Sequence, residues 1–317
     1  MGIKRVYNEF RRTWKKLGPR EAVGGAFRYL GHTVRTRVKG GINLRGHRKD
    51  GKVEKGLVRK KIHGNEMLLK VDDPGISREL LADGTREPVH TKIFKEELKE
   101  GMTHIDIGAS VGYYALLAAS LVGDSGKVIC LEPVEKNVDL LKKCLDINGF
   151  ENVEIYKKAL SSSDSGVKFK KSQMLNRGEV VEDDEEGSES VDSTTLDSLL
   201  DEIGDVNPDS IRMDIEGHEY EALLGMKETL ENATSPCNIF MELHPTKFSN
   251  TKETLEEILG ILKERGFKPD KIGDNSFTNS FTYGLFKEEY QELKGDGSDF
   301  IKEAMKNGIC PFILFKK

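Results

Sequence analysis

The feature that most constrains the fold of this chain is an apolar run that ends in small residues and continues as a helical pattern. Residues 105–114 read Ile-Asp-Ile-Gly-Ala-Ser-Val-Gly-Tyr-Tyr. In doubly wound α/β domains a small-residue turn joins a strand to a helix at the sheet edge where ligands bind. Glycine lets the backbone pass close to a ligand there, and the free amides at the helix start favour an anionic group. The segment therefore predicts a Rossmann-like α/β domain.

The rest of the chain alternates between short apolar runs and amphipathic stretches, as a parallel sheet with crossover helices requires. Right-handed crossovers place the carboxyl ends of such strands on one edge of the sheet. The predicted strands are Thr103–Ile107, Lys127–Leu131, Val153–Lys157, Ser210–Met213, Asn238–Leu243 and Phe312–Phe315, and the predicted helices are Tyr113–Val122, Glu135–Asn148, Glu219–Glu231 and Thr251–Arg265.

Charge divides the chain into two parts. Residues 1–61 contain nineteen Lys and Arg against four acidic residues, whereas the whole chain has a net charge of −5. Residues 40–61 are rich in Gly, Lys and Arg with little periodicity, which is typical of a linker. We therefore predict a basic amphipathic extension and linker over residues 1–61 and an α/β domain over residues 62–317.

The extension carries apolar residues at helical spacing with Lys and Arg between them, which predicts one or two basic amphipathic helices. Such helices can lie on an anionic membrane surface or pack on the catalytic domain, and both interpretations remain open for residues 1–39. Nucleic-acid binding is the weaker alternative because few aromatic residues are interleaved. The apolar positions are Ile3, Val6, Tyr7, Phe10, Trp14, Leu17, Val23, Phe27, Leu30, Val34 and Val38.

The composition of the chain limits where in the cell it is expected and which metal or disulfide sites it can contain. No run approaches the roughly 18 apolar residues of a membrane-spanning helix, and charged residues interrupt the N-terminus where a secretory signal would be apolar. The four cysteines show no CxxC pair, so neither a zinc site nor a disulfide framework is predicted. We expect a cytoplasmic protein that is either soluble or peripheral on the inner face of the membrane.

The identity of the cofactor follows from two neighbouring strand ends. The spacing from Gly108 to Gly112 is GxxxG, whereas nicotinamide enzymes usually show GxGxxG. The next strand ends in Glu132, where an acid can accept hydrogen bonds from both ribose hydroxyls. This pattern favours S-adenosylmethionine over NAD, although an NAD-dependent oxidoreductase remains a rival. The predicted cofactor-binding residues on these strand ends and the following one are Asp106, Gly108, Ala109, Ser110, Gly112, Tyr113, Glu132, Pro133 and Ala159.

Two later strand ends carry the candidate catalytic residues. Asp214 and Glu216 lie two residues apart on an extended segment and therefore point the same way. One carboxylate could balance the positive groups of the cofactor while the other accepts a proton, which places Asp214 in both the cofactor and the catalytic set. His244 follows the next strand and titrates in a useful range. A divalent metal site including Glu242 is an alternative, but the spacing does not distinguish it from acid–base chemistry, so no metal is predicted.

An acidic stretch, Glu182–Glu189, interrupts the alternation of strands and helices. It carries like charges and no apolar residue, which is typical of an exposed mobile loop. A lid over the site is the alternative interpretation.

Several ordered motifs resemble those of the FkbM-type methyltransferases between about Asp72 and His244. Ser110 and Arg212 stand where that family usually has Asn and Lys, and His218 stands where Ala is frequent. The matching stretches are Gly84–Pro88, Asp106–Tyr114, Glu132–Pro133, Thr194–Asp197 and Met213–Glu219.

The resemblance implies a class I methyltransferase fold, a seven-stranded and mostly parallel sheet with an antiparallel last strand. It also implies S-adenosylmethionine as cofactor, with Glu87 helping to hold its methionine end, and usually O-methylation. The implied acceptors are hydroxyl or carboxylate oxygens of sugars, glycolipids or secondary metabolites. Besides the oxidoreductase, the rivals are a non-catalytic cofactor-binding adaptor and a nucleic-acid methyltransferase, which the basic extension alone suggests.

Overall fold

The computed structural model describes residues 56–172, 174–181, 186–204, 206–274, 291–293 and 310–317. The predicted amphipathic extension over residues 1–39 therefore lies outside the described residues. The same is true of residues 40–55 of the predicted linker and residues 182–185 of the acidic stretch. Within the described part of the chain, none of the helices is long and apolar enough to cross a membrane.

The centre of the molecule is a twisted, mostly parallel sheet whose strand order confirms the predicted Rossmann-like fold. Five parallel strands stand in the order β5-β4-β3-β11-β12, and β15 adds antiparallel beside β12. Strand β13 follows β15, and the two-residue strand β14 adds an eighth member at that edge. These strands are β3 (Thr103–Ile107), β4 (Lys127–Leu131), β5 (Val153–Tyr156), β11 (Ser210–Met213), β12 (Asn238–Glu242), β13 (Lys268–Asp274), β14 (Gln291–Glu292) and β15 (Pro311–Lys316).

Helices cover both faces of this sheet. One face packs against α1 to α4 and the other against α5 to α8, so that successive residues of a strand contribute to opposite cores. Within β4, for example, Val128 and Cys130 face the first core while Ile129 and Leu131 face the second. The helices are α1 (Ile76–Asp83), α2 (Pro88–Glu97), α3 (Tyr113–Val122), α4 (Glu135–Asn148), α5 (Leu196–Ile203), α6 (Glu219–Leu224), α7 (Lys227–Asn232) and α8 (Thr251–Glu264).

The prediction of one continuous helix over Glu219–Glu231 is wrong. The stretch Glu219–Glu231 forms two short helices, α6 and α7, that are separated at Gly225 and Met226. The carbonyl of Gly225 accepts hydrogen bonds from the backbone amides of Leu196 and Asp197 at the start of α5. The break therefore lets this carbonyl satisfy donors that the first turn of another helix leaves open.

Smaller strands complete the fold. An antiparallel hairpin of β1 and β2 begins at Leu57, on the N-terminal side of the predicted boundary at residue 61, and packs on α1 and α4. Strands β7, β8 and β9 form a separate antiparallel sheet, and β9 takes up Ser188 and Glu189 of the stretch that was predicted to be a loop. The strands are β1 (Leu57–Ile62), β2 (Asn65–Lys70), β6 (Ala159–Leu160), β7 (Val167–Lys170), β8 (Glu179–Val181), β9 (Ser188–Val191) and β10 (Ser193–Thr194).

Candidate functional site

A cleft lies at the carboxyl ends of β3, β4 and β11, where an open α/β sheet binds its ligands. It holds about 580 Å³ of atom-free space, a volume that includes the open solvent at its mouth. The strand ends supply Gly108, Ser110, Glu132, Pro133, Ala159, Asp214 and Glu216, while Phe169, Leu175, Asn176, Gly178 and Val180 from β7, β8 and their connection form the opposite wall.

The two glycines of the GxxxG segment have different roles. Gly108 lines the cleft at φ +82°, and a Cβ atom there would lie 2.3 Å from the backbone oxygen of Asp214. Gly112 has φ +91°, and its Cβ would lie 2.3 Å from Cδ1 of Leu141 in α4. Both positions therefore exclude a side chain, but the first does so at the cleft and the second does so for helix packing. A contact between Gly112 and the cofactor stays a prediction.

Glu132 is buried at the end of β4 with its carboxylate turned toward the glycine turn. Its Oε2 atom accepts a hydrogen bond from the Ser110 amide at 2.8 Å, and Oε1 accepts from the Val134 amide at 3.0 Å and from Nδ2 of Asn137 at 3.1 Å. Because a carboxylate offers about four acceptor positions, these three donors leave capacity for a further donor such as a ribose hydroxyl. The predicted role of Glu132 is therefore compatible with its surroundings.

Burial dominates the ionisation of Glu132. It raises the pKa of this carboxyl to about 7, against the lowering effect of the hydrogen bonds from Val134, Ser110 and Asn137. A buried acid with this pKa stands near the middle of its titration at neutral pH, so a ligand that donates hydrogen bonds would favour its ionised form.

The wall opposite the sheet is tied to the Glu132 network. The Leu175 carbonyl accepts hydrogen bonds from Nδ2 of Asn137 at 2.9 Å and from the Ser110 hydroxyl at 3.4 Å. The Leu175 amide donates a hydrogen bond to Oδ1 of Asp73, and the Ile76 amide donates one to Oδ1 of Asn176. This covering segment, residues 174–181, is thus held in part by Ser110 and Asn137, which also line the cleft.

A buried arginine joins two strand ends beside the cleft. Arg212 donates from Nη1 to Oδ1 of Asp106 at 3.0 Å and from Nη2 to Oδ2 of Asp214 at 2.8 Å. Its guanidinium carbon also lies 4.1 Å from the ring centroid of Tyr114. The ion pair fixes the orientation of the Asp214 carboxylate, because a planar guanidinium can serve two acceptors at once. Asp106 is fully buried within the sheet and does not line the cleft.

Next to Asp214 lies a cluster around His244. The imidazole Nδ1 is 2.7 Å from Oε1 of the fully buried Glu219, which orients the ring. The other nitrogen, Nε2, lies 3.9 Å from Oδ1 of Asp214 and 3.8 Å from Oε2 of Glu216. The structure thus brings together the three residues predicted to be catalytic, and it adds Glu219, which the sequence did not single out.

Burial and charge shift the ionisation of this cluster. Burial disfavours the charged imidazole, but the hydrogen bond and charge of Glu219, together with Glu242 and Asp214, raise the pKa of His244 well above its usual value. Burial raises the pKa of Glu216, and Asp214 adds to that shift. For Glu242, burial and the charges of Asp214 and Glu87 raise the pKa well above the usual range. The cluster therefore holds more negative charge than its surroundings readily stabilise.

Glu87 is buried behind this cluster rather than in the lining of the cleft. Its carboxylate contacts Nη2 of Arg86 at 2.6 Å and accepts a hydrogen bond from the Tyr114 hydroxyl at 2.8 Å. Burial opposes ionisation, but Arg86 and His90 hold the pKa of Glu87 well below its usual value. The predicted contact with the methionine end of the cofactor stays a prediction, as does the contact from the buried Tyr113, whose hydroxyl lies 2.9 Å from Oγ1 of Thr91.

Two residues of the cleft have a strained backbone conformation. Among the described residues, the non-glycine positions with positive φ are His63, Glu87, Ser110 and Glu216, at 48°, 45°, 51° and 53°. Ser110 and Glu216 line the cleft. Such conformations cost of order 1–3 kcal/mol each and persist where the surrounding structure holds them, frequently at functional sites. Strain thus marks two positions that the sequence motifs also selected.

Comparison with known protein families identifies the family of this chain. A family model described as the methyltransferase FkbM domain matches residues 106–269, slightly more than half of the chain. The chain belongs to the FkbM methyltransferase family. This confirms the resemblance seen in the motifs, and it places the chain among methyltransferases rather than NAD-dependent oxidoreductases. The cofactor implied by family membership is S-adenosylmethionine, as the sequence predicted.

Two curated relatives and one solved structure are similar to parts of this FkbM-family chain. The hexuronic acid methyltransferase AglP of Haloferax volcanii is 27% identical over 154 residues, 48% of this chain and 60% of that protein. The protein-L-isoaspartate O-methyltransferase of Methanococcoides burtonii is 39% identical over 59 residues, 19% of this chain and 29% of that protein. Both matches span less than two thirds of the relative. The crystal structure of an FkbM methyltransferase from Methylobacillus flagellatus aligns over 76% of this chain and 52% of that chain, with 14% identity and a TM-score of 0.40.

The residues of the cleft fit the cofactor that the family implies. Glu132 retains acceptor capacity, Gly108 removes a side chain that would meet Asp214, and the cleft lies between them. Of the predicted cofactor residues, Glu87, Asp106, Ala109, Gly112 and Tyr113 do not line the cleft. Sequence reasoning missed Asn137, which bridges Glu132 and the covering segment, and no motif marked it because its role depends on Leu175 in another element.

Proposed function

We propose that this methyltransferase transfers a methyl group from S-adenosylmethionine to an oxygen of a sugar or glycolipid, at a hydroxyl or a carboxylate. The observation that carries the proposal is the position of Asp214 and Glu216, which line the cofactor cleft and also approach Nε2 of His244. The cleft and the acid–histidine cluster therefore share an edge. An acceptor bound over this edge would lie between the donor and the groups that can take its proton.

The reaction needs one bond made, one bond broken and one proton removed. The cofactor supplies a methyl group on a positively charged sulfur, and the products are the methylated oxygen and a neutral thioether. For a hydroxyl acceptor, Asp214 and Glu216 are the proposed proton acceptors, and His244, whose Nε2 lies within 4 Å of both carboxylates, positions them. A carboxylate acceptor has no proton to lose. Most of the rate enhancement would then come from holding the two reactants in line.

Basic side chains beside the cluster support an acidic sugar as acceptor. Arg177 acts electrostatically on Glu216 from the covering segment, and Lys247 does so from the turn after β12. Lys247 also forms an ion pair with Glu179 of β8. A carboxylated sugar would find cations on this rim, and the relative AglP is named as a hexuronic acid methyltransferase.

The direct test is product formation with the purified chain. We expect S-adenosylhomocysteine to form with cell glycolipid or uronic-acid glycan fractions, together with a 14-dalton gain in the acceptor. Glu216→Gln should slow turnover of a hydroxyl acceptor by about 10²–10⁴-fold, the usual contribution of a general base, and His244→Gln should slow it by disturbing the arrangement of Asp214 and Glu216. Full turnover in both variants would indicate ester formation on a carboxylate. Cofactor binding without any turnover would favour the non-catalytic adaptor.

A second part of the proposal concerns location. We propose a cytoplasmic enzyme whose residues 1–39 hold it on the anionic inner face of the membrane, where lipid-linked sugars are available. The support is the basic amphipathic pattern of that segment, in which each Lys or Arg near such a surface adds about 1 kcal/mol. Flotation with anionic liposomes should carry the full chain and leave behind a chain that lacks residues 1–39. Equal flotation would reject the membrane role, and salt-sensitive RNA or DNA binding by the same segment would support the nucleic-acid alternative.

A further inference from the structure

His244 is oriented as metal-ligating histidines usually are. Its Nδ1 contacts the carboxylate of Glu219, which is fully buried, and this contact turns Nε2 toward Asp214 and Glu216. The His244 side chain is only 9% exposed, and Nε2 forms no hydrogen bond with a described residue. In proteins, a carboxylate behind one nitrogen of a histidine typically fixes the ring so that the other nitrogen can bind a metal.

The distances around Nε2 suit a shared ion better than direct hydrogen bonds. Oδ1 of Asp214 and Oε2 of Glu216 lie 3.9 and 3.8 Å from it, beyond hydrogen-bonding range. Two ligands at about 2.1 Å from one cation are about 3–4 Å apart, depending on the angle between them. One ligand atom from each of Asp214, Glu242 and His244 lies within 4.8 Å of the others. These three side chains are therefore placed to converge on one cation.

The charge of the surroundings also favours a cation. Arg212 is shared between Asp106 and Asp214, so it cannot fully neutralise both. Arg86 pairs with Glu79 and Glu87. The basic side chains of this region are Arg86, Arg212, Arg177 and Lys247. They are outnumbered by its carboxylates, which are Glu79, Glu87, Asp106, Asp214, Glu216, Glu219 and Glu242.

We propose that Asp214, Glu242 and His244 bind a divalent cation of the Mg²⁺ or Mn²⁺ class, with Glu216 beside it and Glu219 as the residue that positions His244. Oxygen-rich ligand sets with one imidazole are typical of such hard or borderline cations. The site adjoins the cofactor cleft through Asp214. Its role rests on the proposed function, because the cation would bind the acceptor oxygen and lower the pKa of its hydroxyl.

Binding of Mn²⁺ tests the site without any acceptor or methyl donor. Titration of the purified full-length chain, followed by the electron paramagnetic resonance signal of free Mn²⁺, should show one ion bound per chain, and Mg²⁺ should compete. Glu242→Gln and His244→Gln should each weaken Mn²⁺ binding by at least about tenfold. Glu219→Gln should also weaken it by about 10–100-fold through the orientation of His244. Asp201→Asn, which changes an exposed carboxylate on α5, should bind as the wild type does.

Affinity for S-adenosylhomocysteine serves as the folding control, since Glu132 lies outside this cluster. The Glu242, His244 and Glu219 variants should each keep this affinity while binding Mn²⁺ more weakly. The inference is overturned if the wild type binds no Mn²⁺ at millimolar concentration, or if the ligand variants bind it as tightly as Asp201→Asn does. Mn²⁺ binding without sugar methylation would leave the site standing and reject the proposed function. Methylation that continues unchanged in a chelator, by a chain that binds no Mn²⁺, would support the proposed function and reject the cation site.

Discussion

The ionisation of Glu132 predicts how cofactor affinity depends on pH. Burial raises the pKa of this carboxyl to about 7 in the protein without its cofactor. If a ribose hydroxyl donates to the ionised carboxylate, as predicted for Glu132, the cofactor should bind the ionised form in preference to the protonated one. Binding should therefore release a proton below pH 7, and affinity should rise with pH. Because the pKa is raised in the folded chain, stability without cofactor should fall as pH rises from about 4.5 to about 7, and then level off.

The size of the affinity change follows from that pKa. If only the ionised form binds, the apparent dissociation constant is multiplied by one plus the ratio of protonated to ionised carboxyl. With a pKa of about 7, the factor is about 11 at pH 6 and about 1.1 at pH 8, so affinity should change about tenfold over this range. Above pH 8 the affinity should be constant.

Calorimetry with S-adenosylhomocysteine measures both quantities. Titrations at pH 6, 7 and 8 in two buffers of different ionisation enthalpy give the affinity and the number of protons released. Glu132→Gln should bind more weakly and lose the slope, because an amide at this position does not ionise. Glu135→Gln removes an exposed carboxylate from the first turn of α4 and should keep the wild-type slope. A flat wild-type profile, or an unchanged slope in Glu132→Gln, would refute the reasoning.

Two further predictions concern packing around the site. Arg212→Met leaves the buried Asp106 without its counter-charge and should lower the free energy of unfolding by about 3–5 kcal/mol in urea denaturation. Adding Asp106→Asn should recover part of this loss, and an additive loss would contradict the pairing. Gly112→Ala places a Cβ against Leu141 at positive φ, which should destabilise the fold by about 1–3 kcal/mol in the same assay. Leu141→Ala alone should also destabilise the fold, because Leu141 is fully buried. The two losses should sum to more than the loss in the double variant, because the smaller side chain relieves the clash, and strictly additive losses would argue against this explanation.

The sequence predicted the central strands well because their boundaries are chemically sharp. Strands β3, β4 and β11 have the predicted limits, since each apolar run ends at glycine or at a charged residue. The hairpin of β1 and β2 was not predicted, because the Gly, Lys and Arg residues before and within β1 are typical of a linker. Its stability depends on distant contacts, such as the hydrogen bond from Asn65 to the Leu116 carbonyl. Contacts of this kind have no periodic signal.

The same limit applies to the site. Motifs identified Glu132, Asp214 and Glu216 because these residues follow strand ends. They did not identify the partnership of Arg212 with Asp106, although the two residues stand directly opposite in the paired strands β11 and β3. That pair becomes predictable only when the strand order is known, because cross-strand neighbours depend on which strands are adjacent. Glu219 was part of a recognised motif, but its role follows from His244 in another strand.

The contact between Gly108 and Asp214 links the two halves of the proposed reaction. Gly108 belongs to the turn beside Glu132, while Asp214 belongs to the cluster around His244, and only the absence of a side chain at residue 108 lets the two backbones meet. The distance from the cofactor side to the cluster is therefore set by paired strands and a backbone contact, which are more rigid than long side chains. A methyl transfer that depends on alignment within a fraction of an ångström would benefit from that rigidity. The glycine would then matter for the acceptor as much as for the cofactor.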